Sequence, residues 1–171
     1  KARYTLSAAL LLAFANLVHA ATYSASLKQL EFSDAGHNPF TLTFTNVPTP
    51  TSGGTLRVRA FGDLGSAAEY LEIYVDGIYF GPILNNDATD DSFNHPGGTD
   101  QGYYYESSSF VSNQTASISL AQLTAMASNG SIAVLVDPSQ SVNNAKTGEF
   151  VEVTLTCDYA SAGACCIASS H

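Results

Sequence analysis

Apolar and polar residues alternate with a two-residue period through most of the chain. Successive side chains of a β-strand point to opposite faces, so this alternation predicts strands that bury one face and expose the other. Val, Ile, Leu and Phe fill the apolar positions and Thr is frequent at the polar ones, as pleated strands prefer. Five segments show the pattern most clearly: 40–45, 55–61, 69–76, 131–137 and 149–156.

The segment EYLEIYVDG, residues 69–77, combines a strand with a turn signal. The dipeptide Asp76-Gly77 predicts a β-hairpin, because both residues tolerate the positive φ that two-residue hairpin turns require. We expect Arg57 and Arg59 of the preceding strand to lie beside the exposed acids of this strand. The residues expected in the core are Leu71, Ile73 and Val75.

One segment, SLAQLTAMASNG, has helical spacing instead. Ser119 is suited to cap the start of this helix and Gly130 to end it. No alternation of strands and helices recurs, so a parallel α/β sheet is excluded. The expected fold is all-β, an antiparallel two-sheet β-sandwich of jelly-roll or immunoglobulin-like type, with one short helix near residues 120–128.

The first twenty residues have the pattern of a secretory signal peptide. Lys1 and Arg3 precede an apolar run at 6–17, and small residues then lead to an expected cleavage after Ala20. The run is short for a membrane span, although a retained N-terminal anchor helix is the alternative. We therefore expect a secreted or extracellular protein, with the periplasm or cell surface also open, and no membrane span after processing. The expected organisation is a signal peptide at 1–20, a single β-sandwich domain at 21–157 and a cysteine-containing C-terminal tail at 158–171.

The expected mature chain is strongly acidic. Four basic residues against fifteen acidic ones give residues 21–171 a net charge of −11. Such a surface repels nucleic acid and anionic lipid, so nucleic-acid binding is excluded as a function, and it favours solubility or cation binding.

The three cysteines lie within the last fifteen residues. An oxidising compartment favours one intrachain disulfide. A bridge between the adjacent Cys165 and Cys166 would be strained, so we expect Cys157 to pair with one of them and assign the pair Cys157–Cys165. Zinc coordination by these thiols is the less favoured alternative.

Acidic residues in two loops are candidate calcium ligands. Calcium binds six to eight oxygen atoms from carboxylates, side-chain amides and backbone carbonyls. The residues assigned to such a site are Asp63, Glu69, Asp87 and Asp91. The alternative is that they are solvated turn residues, because Asp is common in turns.

Tyrosine side chains are candidates for binding a polysaccharide or cell-surface glycan. A tyrosine ring stacks on a sugar and its hydroxyl forms a hydrogen bond. The assigned residues are Tyr70, Tyr74, Tyr103 and Tyr105. Ordinary exposure on a sheet surface is the alternative.

We expect no catalytic activity and assign no catalytic residue. The sequence contains neither a G-x-S-x-G nor an H-E-x-x-H motif. Pairs of acids exist in number, so a secreted hydrolase is the remote alternative.

The stretch FTLTFTNVP … GGTLRVRAFGDLGSAAEYLEIYVDGIYFG resembles bacterial exported β-sandwich modules, among them calcium-bearing carbohydrate-binding modules and repeat units of surface adhesins. The resemblance covers residues 40–81 and, more weakly, 131–157. It implies a non-catalytic binding or adhesive role, with calcium at Asp63 and Glu69. A second hypothesis is self-association into a filament or matrix, in which residues 21–32 are donated as a strand to a neighbouring molecule.

Overall fold

The computed structural model describes residues 18–32, 38–95, 99–102, 112–143 and 148–162. In these residues two antiparallel sheets form a sandwich, which confirms the expected all-β fold. One sheet has the strand order β1-β9-β3-β7-β6 and the other has the order β2-β8-β4-β5. The strands are β1 (Val18–Leu30), β2 (Phe40–Thr45), β3 (Pro50–Phe61), β4 (Leu71–Val75), β5 (Ile78–Ile83), β6 (Phe93–Asn94), β7 (Ser112–Ile118), β8 (Ser131–Pro138) and β9 (Phe150–Ala162).

The core lies between the inner faces of the two sheets, where the alternating apolar residues meet. The expected residues of β4 are fully buried, and those of β3, β8 and β9 alternate between the core and the outside in the same way. Burying each large apolar side chain contributes about 1.5–3 kcal/mol. The fully buried apolar residues of the four central strands include Leu56, Leu71, Ile73, Val75, Ile132, Val134, Val136, Val151, Val153 and Leu155.

The connection between β3 and β4 passes from one sheet to the other. Strand β4 pairs with β5 and β8, whereas β3 pairs with β7 and β9. The expectation that Arg57 and Arg59 lie beside the acids of β4 is therefore wrong, because the arginines lie on the other sheet. Arg59 instead forms an ion pair with Glu152 of β9 at 2.9 Å, and Arg57 approaches the same carboxylate at 3.7 Å.

The two short-range turn and helix predictions are confirmed. Asp76 and Gly77 adopt φ values of 47° and 77° between β4 and β5. Helix α1 (Leu120–Met126) begins after Ser119, whose side chain accepts a hydrogen bond from the Gln122 backbone. A 3₁₀ turn (Ala127–Asn129) extends the helix to Gly130, which has φ 76°.

Strands β1 and β9 extend beyond residues 21 and 157, and the domain boundaries given for those positions stay predictions. Strand β1 begins at Val18, before the expected cleavage point, and β9 continues to Ala162, into the expected tail. The two strands pair antiparallel along their whole length. Within the described residues no helix is long and apolar enough to span a membrane.

Candidate functional site

The 62–69 loop contains Asp63 and Glu69, two of the four residues assigned to calcium. Asp63 is only 4% exposed. Burial, followed by the nearby Glu69 carboxylate, raises the pKa of Asp63; a hydrogen bond from the Asn143 backbone acts in the opposite direction. Glu69 accepts hydrogen bonds from the backbone N–H groups of Gly65 and Ser66 at 2.8 and 2.9 Å. The loop therefore holds an inward-facing carboxylate close to a second one.

Asp87 and Asp91, the other two assigned residues, lie in the connection that follows β5. Asp87 accepts hydrogen bonds from the backbone and hydroxyl groups of Thr89, which lower its pKa. Asp91 forms a group with His95 and Asp100, whose ligand atoms lie within 4.8 Å of one another. We call these three residues the aspartate–histidine cluster. Among the described residues, these three side chains are the ones close enough together to hold a metal ion.

Asp100 is the best-anchored member of the cluster. The residue is 1% exposed, and its carboxylate accepts hydrogen bonds from the backbone N–H groups of Leu84 and Asn85 at 2.6 and 2.8 Å. The side-chain amide of Gln114 in β7 donates a third hydrogen bond at 2.5 Å. Leu84 has a φ of 75°, so its backbone is in the left-handed region where consecutive N–H groups can converge on one anion.

Asp91 and His95 complete the cluster from the same connection. The Asp91 carboxylate is fully buried and the His95 ring is 4% exposed. The Nε2 atom of His95 lies 3.1 Å from Asp91 Oδ2 and 3.2 Å from Oδ1, and its Nδ1 atom lies 3.5 Å from Asp100 Oδ1. Burial raises the pKa of Asp91, while the Phe93 backbone N–H and His95 act to lower it.

Three buried polar atoms of this region have no hydrogen-bond partner among the residues that the structure describes: Asp91 Oδ2, His95 Nδ1 and Gln114 Oε1. Asp91 Oδ2 is close to the imidazole, but the approach does not have the geometry of a hydrogen bond. Buried polar atoms are nearly always paired, so three unpaired atoms on side chains linked through Asp100 and His95 are exceptional.

The absence of a side chain at Gly81 in β5 allows Asp91 to pack closely against that strand. A Cβ atom at Gly81 would lie 2.3 Å from the Cβ atom of Asp91. Its φ of 116° also disfavours any other residue. The position of Asp91 therefore depends on the absence of a side chain in β5.

A separate groove lies on the outer face of the four-stranded sheet. Its volume is about 340 Å³, within the range of ligand-binding clefts. Glu72 of β4 and Asp137 of β8 are direct cross-strand partners in this groove. We call it the tyrosine groove, and its lining residues are Tyr70, Glu72, Asp137, Pro138, Ser139 and Gln140.

Tyrosine side chains extend this surface. The rings of Tyr74 and Tyr79 lie 4.9 Å apart, and the Tyr74 hydroxyl donates a hydrogen bond to Glu72 at 3.2 Å. Partial desolvation, followed by the effect of Glu72, raises the pKa of both tyrosines, so their hydroxyls stay protonated at neutral pH. Tyr79 is 48% exposed and available to a ligand.

The tyrosines and cysteines assigned from the sequence have different positions in the structure. Tyr70 lines the groove and Tyr74 lies beside it, whereas Tyr103 and Tyr105 lie outside the described residues. Cys157 is buried in β9, and Cys165 also lies outside the described residues, so their pairing stays a prediction.

Sequence reasoning did not assign His95 or Gln114 to a site. The signal that was present is the spacing of Asp91 and His95, four residues apart, with a further acid at position 100. Gln114 had no comparable signal, because it is an ordinary polar residue in a strand and reaches Asp100 only through the fold.

No protein-family model matches the chain, and no curated protein matches it. The chain is similar to the crystal structure of dimeric latent PorU from Porphyromonas gingivalis, with a TM-score of 0.41 and 15% identity over 91% of the chain. It spans 14% of the length of that protein.

The raised pKa of Asp63 predicts a pH-dependent stability effect. A carboxyl whose pKa is higher in the folded than in the unfolded state destabilises the fold above that pKa, and the cost disappears as the pH falls below the unfolded value of about 3.9. We expect Asp63→Asn to melt at a higher temperature than the wild type at pH 7 in EDTA, and at the same temperature near pH 3.

Asp87→Asn is the matched control, because the pKa of Asp87 is lowered rather than raised. Its carboxylate stabilises the fold above the unfolded pKa, and this contribution is lost as the pH falls. We expect Asp87→Asn to melt below the wild type at pH 7 and to converge with it in acid. Thermal melts between pH 3 and 7 would contradict the assignment if both variants shifted in the same direction.

Proposed function

We propose that the protein is a secreted, non-catalytic binding module that holds a neutral saccharide in the tyrosine groove. The observation that carries the proposal is the cross-strand pair of carboxylates, Glu72 and Asp137, inside a groove walled by Tyr70. A polyhydroxylated ligand supplies the hydroxyl donors that two adjacent carboxylates accept. A tyrosine ring beside them offers an apolar face to the C–H side of a sugar.

The carboxylate pair favours ligand binding on energetic grounds. Like charges directly opposite each other destabilise an antiparallel pair, so Glu72 and Asp137 weaken the sheet at this point. Hydrogen bonds from ligand hydroxyls to carboxylates are charge-assisted and stronger than neutral ones. Bound saccharide would therefore offset a repulsion that the free protein retains.

The walls of the groove are held in place by the protein itself. The Ser139 hydroxyl donates a hydrogen bond to the Ala68 carbonyl at 2.6 Å and accepts one from the Tyr70 backbone at 3.3 Å. The Ser139 backbone N–H bonds to the Tyr70 carbonyl at 2.9 Å. Preorganised walls reduce the entropy that is lost when a ligand binds.

The negative charge of the chain favours neutral saccharides over acidic ones as ligands. The protein has a formal net charge of −9, and two acids line the groove. Acidic polysaccharides would be repelled by this surface, whereas neutral ones would not.

Affinity electrophoresis in gels that contain a neutral β-glucan, xylan or mannan tests the proposal. We expect retardation by at least one of these polymers and none by an acidic pectate gel. Glu72→Gln and Tyr70→Ala should each weaken binding about tenfold, because each removes a ligand contact worth about 1–2 kcal/mol.

Glu152→Gln and Tyr159→Ala are the matched controls, since both residues belong to β9 in the other sheet. They should retain the binding of the wild type. Absence of retardation in every neutral gel, or equal retardation of the groove variants, would exclude the groove as the binding site. Release of shortened sugars would contradict the non-catalytic part of the proposal and favour a hydrolase.

The proposed module also binds calcium, and we assign the calcium site to the 62–69 loop. The support is electrostatic, because Glu69 and Glu149 both raise the pKa of the buried Asp63. A calcium ion would offset repulsion among these carboxylates, and backbone carbonyls of the loop are suitable further ligands.

Melting in millimolar calcium and in EDTA tests this part of the proposal. A ligand that binds only the folded state raises its stability by RT ln(1 + [L]/Kd), so we expect a rise of several degrees in calcium. The double substitution Asp63→Asn and Glu69→Gln should abolish the rise, and Asp87→Asn should retain it. An equal rise in all three proteins would place the ion elsewhere.

Self-association is the second candidate function, favoured by the outer edge of β1. This strand lies at the edge of its sheet, is 13 residues long and contains Lys28 as its one permanently charged side chain. Exposed edges are usually protected by charges, bulges or shortness, and unprotected ones pair with other chains. Residues 21–30 of the expected donor strand pair with β9 of their own chain, so association would occur by pairing of the β1 edges of two molecules.

Light scattering over a range of concentrations tests this candidate. We expect the mass of the wild type to rise above that of a monomer, and the double substitution Thr22→Lys and Ser26→Lys to reduce it by adding charge to the edge. Thr41→Lys with Thr43→Lys adds the same charge to β2, the edge of the other sheet, and should leave association unchanged. A monomeric wild type at every concentration would exclude the candidate.

A further inference from the structure

We propose that the aspartate–histidine cluster is a binding site for a divalent transition-metal ion, for which zinc is the best match. The ligands are one ring nitrogen of His95 and one carboxylate oxygen each from Asp91 and Asp100. The site is separate from the tyrosine groove and does not depend on the saccharide proposal.

The unpaired atoms provide evidence independent of the grouping itself. Within the described part of the chain, Asp91 Oδ2, His95 Nδ1 and Gln114 Oε1 lack hydrogen-bond partners, and the side chains that carry them are buried near Asp100. Each of these atoms has a lone pair available when His95 is neutral with its proton on Nε2. Buried lone pairs require a cation or a donor, and the described residues supply neither to these atoms.

The distances from the His95 ring nitrogens to the carboxylates are in the range of neighbouring ligands on one ion. His95 Nε2 lies 3.1 Å from Asp91, and His95 Nδ1 lies 3.5 Å from Asp100. With metal–ligand bonds of about 2.0–2.2 Å, neighbouring ligands of a tetrahedral zinc ion lie about 3.4 Å apart. Only one ring nitrogen of neutral His95 binds the ion, and the N–H of the other can donate a hydrogen bond to an oxygen of the neighbouring carboxylate, which is the usual way in which a metal-binding histidine is oriented.

Charge balance also favours a dication. Asp91 and Asp100 are two buried carboxylates, and among the described residues neither forms an ion pair with Lys or Arg. Protonation of His95 would neutralise only one of them. A divalent ion bound to neutral imidazole would neutralise both, as a buried charged group requires.

The mixed ligand set distinguishes this site from a calcium site. Calcium binds oxygen almost exclusively and needs six to eight ligands, whereas imidazole nitrogen is a preferred ligand of zinc and its neighbours in the first transition series. Gln114 Oε1 provides a further oxygen, either as the fourth ligand or as the acceptor for a metal-bound water. The backbone donors on Asp100 orient that carboxylate in the way that surrounding hydrogen bonds orient metal ligands.

Equilibrium dialysis of the full chain, first stripped of metal with a chelator, tests the proposal with zinc chloride as the probe. We expect one zinc equivalent per chain at this site, retained in an excess of calcium, and a rise in melting temperature. His95→Gln and Asp91→Asn should each lower zinc affinity by about 100-fold or more. Asp90→Asn is the matched control, because this neighbouring acid is exposed and bonds to Asn85 outside the cluster.

Cobalt(II) spectroscopy tests the proposal on the wild-type chain, so this measurement does not depend on whether a variant folds. Cobalt(II) in the wild-type chain should show visible d–d bands of a nitrogen and oxygen site, without the intense near-ultraviolet band that thiolate ligands produce. Failure to bind zinc, equal zinc affinity in His95→Gln, Asp91→Asn and the wild type, or a thiolate band with no separate nitrogen and oxygen site would each overturn the proposal.

Discussion

The burial of every second residue of the central strands is the constraint on which the rest of the structure depends. A shift of one residue in the pairing of β4 would expose Leu71, Ile73 and Val75 and bury their polar neighbours. The register that avoids this cost also places Glu72 beside Asp137 on the outer face. The two carboxylates are therefore adjacent because the core requires that register, and the groove around them is a consequence of core packing.

The connection after β5 lacks this apolar period and is organised by a buried carboxylate instead. Asp100 accepts hydrogen bonds from two backbone N–H groups that follow β5 and from Gln114 of β7. These donors stabilise the charge, which would otherwise make a fully buried Asp costly. Because β5 and β7 belong to different sheets, Asp100 links the two layers through polar contacts.

Much of the fold could be predicted from the sequence because its signals are local. The alternation of β3, β4, β8 and β9, the turn at Asp76-Gly77 and the cap at Ser119 each depend on residues within a few positions of one another. The sheet to which β3 belongs is not a local property, so the position of Arg57 and Arg59 was predicted wrongly. The aspartate–histidine cluster was harder to predict from the sequence. Gln114 and Asp100 are fourteen positions apart and meet only in the fold, and the need for glycine at position 81 arises only because Asp91 packs against it.

The two candidate sites differ in how firmly the fold positions them. The tyrosine groove rests on paired strands, whose geometry the core determines, so its carboxylates stay in place with or without a ligand. The aspartate–histidine cluster rests on a connection in which two buried polar atoms have no hydrogen-bond partner among the described residues, and a third such atom belongs to Gln114 of β7. A metal ion there would satisfy those atoms and join the connection to both sheets, so its main consequence would be structural. Removing it would loosen one end of the sandwich while leaving the groove on the outer face intact.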